Sequence, residues 1–325
     1  MKKHLLATLL LSALLPAAAY AEPCSTATDK YTLTPLVFSA REGDERNVRC
    51  LLDSGTNVNA ANEKGVTALM AAAGEGHIAT ARLLIEKGAN VNAADTIGNT
   101  VLGYAALGGR TEIVRLLIEK GANVNAAGKS GNTALMAAAD KGRTETARLL
   151  IEKGADVNSA SGGDFTALMR AARGGHTDTV RLLIKKGADV NAANGSALRS
   201  AADKGHTDIV RLLLEKGAAV NLNSGPKGMT GGTPLMGAAI GGHTEIARLL
   251  IEKGADVNLA SEVDWGFTAL IFAVVNDRTD IVRLLLDKGA NVNATSKEGE
   301  TALSIAKKKG HTDIVQMLQA AGAKE

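Results

Sequence analysis

Residues 131–158 read GNTALMAAADKGRTETARLLIEKGADVN, and edited copies of this stretch occupy the chain from Thr34 onward. The copies open at Thr34, Thr67, Thr100, Thr133, Thr166, Ser196, Thr233, Thr268 and Thr301, most of them 33 residues apart. The interval into Ser196 is shorter, and those into Thr233 and Thr268 are longer. A fixed period whose length changes fall in the connections marks a stack of like units rather than a closed globule.

Each unit reads as two short helices. Leu135, Ala138 and Ala139 form one stripe at helical spacing, and the small residues in it let a neighbouring helix approach closely. Thr133 is placed to cap that helix, and in Thr34-Pro35 and Thr233-Pro234 the proline takes the first helical position, where its missing N–H is harmless. The second helix shows well in the preceding copy. Thr111 and Glu112 open it, Ile113, Leu116 and Leu117 mark its buried stripe, and Lys120-Gly121 supply a cationic last turn and a left-handed stop. A lone pair of this kind cannot shield its own apolar faces, whereas stacked pairs shield one another. The expectation is an all-α array of nine units with turns projecting between them.

Composition agrees with thin, repeated layers. The 325 residues are 45% apolar but only 2% aromatic, so the core must be built from Ala, Leu, Val and Ile. There are 37 Lys and Arg against 34 Asp and Glu, and two of the lysines lie in the leader described next. A nearly neutral chain with few rings lacks both the charge and the stacking platforms that nucleic-acid binding uses, so no nucleic-acid partner is expected.

The chain starts MKKHLLATLLLSALLPAAAYAE, with Lys2 and Lys3 ahead of an apolar stretch from Leu5 to Leu15 and a small-x-small site at Ala19-Tyr20-Ala21. That is the pattern of a secretory signal peptide over 1–21, cleaved near Ala21. A lipid anchor on Cys24 is disfavoured, because Ala21-Glu22-Pro23 stands where small apolar residues belong. No later segment reaches the roughly 20 apolar residues of a membrane helix, so the mature chain is expected to be periplasmic, or secreted further, without membrane insertion. Residues 22–33 form an N-terminal extension and 34–325 the repeat domain. The two cysteines, Cys24 and Cys50, admit two readings: a disulfide worth on the order of 3 kcal/mol that staples the extension to the first unit, or two free thiols with Cys50 filling a core position.

The elements Thr133-Ala134-Leu135-Met136, Gly175-His176-Thr177 and Gly187-Ala188-Asp189-Val190-Asn191-Ala192 resemble the ankyrin repeat family, over about Thr34 to Ala323. The resemblance implies a solenoid of antiparallel helix pairs with projecting β-turn fingers, of an exported bacterial type, and a concave face that binds another protein. The family's first-helix histidine is replaced by Met70, Gly103, Met136, Met169, Arg199, Met236 and Ile271, so the ladder that histidine usually builds between units has no such side chain here. In the last unit Lys307, Lys308, Lys309, Gln316 and Gln319 give a polar cap.

No catalytic constellation emerges. His77, His176, His206, His243 and His311 recur one per unit, too far apart at about 8–10 Å between packed helices to share a metal; a structural role in the turn is expected. Gly128-Lys129-Ser130 imitates the end of a phosphate-binding loop, but that motif needs glycine where Asn123 stands. The second-helix arginines, such as Arg82, Arg115 and Arg148, have Glu86, Glu119 and Glu152 beside them and read as a solvated face. Neither an enzyme, a cofactor nor a metal site is expected, and the chain is expected to be a monomer.

The resemblance places partner contacts in the turn before each opening threonine and on the end of the first helix. Asn99, Asn132 and Glu300 are polar there, whereas Phe165 and Phe267 are rings where exposure is expected, with Trp265 nearby. Arg170, Arg173, Ile240 and Phe272 extend the candidate patch. The alternative is that Trp265 and Phe267 fold back over the lengthened connection between Asn258 and Thr268. The glycine-rich stretch from Asn223 to Gly232 reads as a projecting finger. The partner itself is not legible. An effector released beyond the cell, and an enzyme with a site assembled across units, are the alternatives to a scaffold.

Overall fold

The computed structural model describes residues 24–26, 34–223, 231–262 and 265–324. The expected leader, most of the extension and most of the glycine-rich finger lie outside the described residues. Within them, eighteen helices follow one another in pairs: α1 Pro35–Glu42 with α2 Glu45–Asp53, α3 Ala68–Glu75 with α4 Ile78–Glu86, α5 Val101–Gly108 with α6 Thr111–Glu119, and α7 Ala134–Asp140 with α8 Thr144–Glu152. Next come α9 Ala167–Gly174 with α10 Thr177–Lys185, α11 Ala192–Lys204 with α12 Thr207–Glu215, and α13 Pro234–Gly241 with α14 Thr244–Glu252. The last pairs are α15 Ala269–Val275 with α16 Thr279–Asp287, and α17 Ala302–Lys309 with α18 Thr312–Ala320. No described helix is long and apolar enough to cross a membrane.

The starts and stops have local causes. Thr133 is extended at its own backbone, and its hydroxyl accepts the Met136 N–H at 3.3 Å; the threonines opening α1, α3, α5, α9, α13, α15 and α17 cap in the same way. At the other end of α1, Gly43 adopts φ 72°. A Cβ there would be strained by the backbone and would also fall 2.5 Å from His77 Nδ1. His77 uses the space to bring its Nε2 within 2.8 Å of the Arg41 carbonyl. His176, His206 and His243 reach carbonyls of the preceding unit likewise, and Arg110, Arg143 and Arg278 donate Nε in the equivalent place.

Burial is continuous along the stack. Leu135, Ala138 and Ala139 of α7 and Leu149 and Leu150 of α8 are each almost fully enclosed, and their counterparts join them in one apolar core from Leu36 to Leu318. First helices pack on first helices and second on second, the former more closely. Alanine and glycine on the first helices permit that approach, while leucine and isoleucine hold the second helices further apart, so the array curves with the first helices on its concave side.

A second device ties unit to unit. Asn125 donates Nδ2 to the Gly154 carbonyl at 3.0 Å while its Oδ1 accepts the Asp156 N–H at 2.9 Å. Asn59, Asn92, Asn158, Asn191, Asn221, Asn258 and Asn293 make the same two-way link to the following unit. The connecting ladder thus runs through the repeated Val-Asn of the turns and through the histidine or arginine that follows α3, α5, α7, α9, α11, α13 and α15, and does not use Met136, which is buried.

The sixth unit, whose connection the sequence shows to be shortened, starts differently from the others: its backbone is already helical from Ala192, ahead of Ser196. The connection is too short to form a finger, and the residues that would have made one extend α11 instead. Elsewhere the fingers close by single bridges, Ala94 with Thr100 and Ala160 with Thr166 among them. At the N-terminus Cys24 and Cys50 are bonded, with Cα atoms 5.7 Å apart, and Asn47 clasps Ser25 through both backbone N–H and carbonyl.

Asn125→Ala removes two hydrogen bonds between neighbouring units without touching the core. Urea unfolding should show stability lower by about 1 kcal/mol, given the exposure of the groups involved, with unchanged helicity by circular dichroism.

Candidate functional site: the concave groove

The groove floor is set by the residue four places after each opening threonine. In the middle of the stack this position reads Tyr104, Ala137, Arg170, Ser200 and Gly237, and then Phe272. Large side chains therefore stand as walls with small ones between them. The first depression, about 330 Å³, has Ala137 and Met136 at its base, Tyr104 and Arg170 as walls, and Asn99, Leu107, Asn132 and Asp140 around it. A second, about 200 Å³, lies across Arg170 and is lined by Asp140, Phe165, Met169, Arg173 and Ser200. Arg170 and Asp140 belong to both.

Each wall is braced. The Tyr104 hydroxyl donates to Asp95 Oδ2 at 2.9 Å, and the same carboxylate accepts from the Asn99 backbone and side-chain amides. Burial, and then the hydrogen bond and negative charge of Asp95, push the Tyr104 phenol up to about 12. Arg170 is half-buried, donates to Asn132 Oδ1 at 2.5 Å and lies 5.9 Å over the Phe165 ring. Its Nε is buried with no hydrogen-bond partner. Burial lowers the Arg170 pKa; Asp140 opposes that effect and the neighbouring Arg173 adds to it.

Of the residues singled out in the sequence, Phe165, Arg170 and Arg173 come together here. Trp265, Phe267 and Phe272 form a separate cluster, with successive ring centroids 5.5 Å apart. Of the two readings of Phe267, the structure shows the folded-back one: Phe267 is 7% exposed and packs against Phe272, which is 8% exposed. Trp265 packs on Phe267 and remains 58% exposed. Ile240 is half-buried on α13, its carbonyl accepting from Arg278. Tyr104, Leu107 and Asp140 were missed, although the alternation of large and small residues was present in the sequence. Among the described residues no group of three or more His, Cys, Asp or Glu could hold a metal ion.

The model of a family described as ankyrin repeats (3 copies) matches residues 6–95, 94–161, 160–224, 222–296 and 260–324. The chain belongs to the ankyrin repeat family. Among solved structures it is similar to the crystal structure of the human ASB11 ankyrin repeat domain, with a TM-score of 0.59 and 28% identity, over 69% of this chain and 98% of that one. A search of curated proteins finds no match. Ankyrin repeats are in general protein–protein interaction modules, and the fold is typically non-catalytic.

The braced wall of the ankyrin groove is open to titration. In a background with Tyr20→Phe and Tyr31→Phe, which leaves Tyr104 as the one tyrosine, ultraviolet absorbance should place its ionisation near pH 12. Asp95→Asn should bring it down toward the ordinary value of about 10, and an unchanged titration would show that Asp95 does not control the phenol.

Proposed function

We propose that this protein is a non-catalytic, exported scaffold of nine ankyrin repeats that grips a partner protein in its concave groove. The observation that carries the binding face is the pair of adjoining depressions about Arg170. The two depressions are lined by apolar and polar side chains together and meet at the half-buried Arg170, whose guanidinium is held by Asn132 and the Phe165 ring. A concave surface of this kind, with a few fixed polar groups among apolar ones, suits the binding of another molecule.

Export is supported by the leader pattern of residues 1–21 and by the bonded Cys24 and Cys50, which suit an oxidising compartment. We place the mature protein in the periplasm as a monomer. Fractionated cells should yield a chain beginning at Glu22 in the periplasmic fraction; recovery from the medium would instead favour the secreted effector.

A photocrosslinking amino acid in place of Leu107, on the groove, should give a discrete protein adduct in the producing cells, whereas the same group in place of Arg148 on α8 should not. Equal adducts from both positions, or an adduct from position 148 alone, would remove the concave face from consideration.

A further inference from the structure

The groove also carries information about what it binds. Arg170 and Arg173 are one helical turn apart on α9, and among the described residues neither is in an ion pair. Asp140, the carboxylate that lines both depressions, is shared with Lys141 at 3.2 Å. Two arginines against one shared carboxylate leave the lining of the second depression net cationic. Arg170 is also the better fixed of the two. Asn132 and the Phe165 ring hold its guanidinium in place, while only one of its five donors has a named acceptor. A planar fork fixed in this way suits a carboxylate.

Beside it lies an apolar seat. Ala137 leaves space between Tyr104 and Arg170, with Leu107 42% exposed at the edge. Successive units are about 10 Å apart, and extended chain advances about 3.3 Å per residue. About three residues therefore span the step from one unit to the next. An apolar side chain over Ala137 would put an acidic residue at Arg170 and Arg173 within that reach.

We propose that the groove recognises an extended acidic segment of a partner protein, seating a bulky apolar side chain over Ala137 between Tyr104 and Arg170 and a nearby carboxylate on Arg170 and Arg173. The proposal rests on the concave-face reading and specifies its ligand. Charge complementarity selects the acid, and the depression selects the apolar neighbour. The near balance of cations and anions over the whole chain argues against a polyanion such as nucleic acid, since two arginines in a groove are too few for it.

The test is selection of a random-peptide display library on the full chain, followed by fluorescence anisotropy of the enriched peptides. Enriched sequences should place Asp or Glu within about three residues of a large apolar residue. Arg170→Met should weaken them about tenfold or more, an effect that shrinks with added salt. Ala137→Leu, which fills the seat, should abolish binding. Circular dichroism checks each variant, and Arg173→Met supplies the same reading should Arg170→Met not fold. Enriched peptides that lack acids, binding unchanged in the arginine variants, or no enrichment at all overturns the proposal, as does binding of phosphatidylserine vesicles in place of any peptide. Neutral or basic peptides that still depend on Ala137 would refute the acidic ligand while leaving the concave binding face intact. Peptides indifferent to every groove variant would count against both.

Discussion

Shielding of one helix pair by the next is the constraint on which the rest depends. The stripe of Leu135, Ala138 and Ala139 is enclosed only because α5 and α9 lie on either side of α7. Eight-residue helices are too short to be stable alone in water. Threonine caps and left-handed glycines set where each begins and ends, and the asparagine ladder sets the spacing between turns, but neither would hold isolated pairs together. The stability of the array is consequently distributed along it rather than concentrated in a central core.

The same economy shapes the groove. Small residues on the first helices are required for close approach, and this makes the concave side the only one where a chance large residue stands out from its surroundings. Tyr104 and Arg170 are such residues, and the space between them exists because Ala137 follows the ordinary pattern. Recognition features in this fold can thus arise by changing one surface residue per unit, while Leu135 and its equivalents stay as they are. The bracing of Tyr104 by Asp95, and of Arg170 by Asn132, shows that the turn ahead of each helix holds the wall in place.

Much of this was legible before any coordinates. The period, the capping threonines, the buried stripes and the role of the histidines in the turn all follow from residue spacing, since each depends on contacts within a unit or between neighbours in register. What escaped was set by contacts across units whose connections differ in length. For Phe267 the sequence left exposure and folding back both open, and the longer connection ahead of Thr268 decides between them by letting the ring pack against Phe272. The short connection before Ser196 was visible as a changed interval, but a changed interval does not say whether the backbone tightens into a turn or, as in α11, is absorbed into a helix. Asp140 and Leu107 were passed over because neither is unusual alone; they matter through what lies one unit away.

The bond between Cys24 and Cys50 gives the array a direction. It clamps the extension to α2 at one end, whereas α18 closes the other end with a polar outer face and no covalent tie. Fraying should therefore start from the carboxyl terminus and travel inward, so that a protease meets the final units first and the groove about Arg170, several layers deep, is among the parts that survive longest. In a reducing compartment the covalent part of that asymmetry is lost, and the first unit becomes more open to digestion.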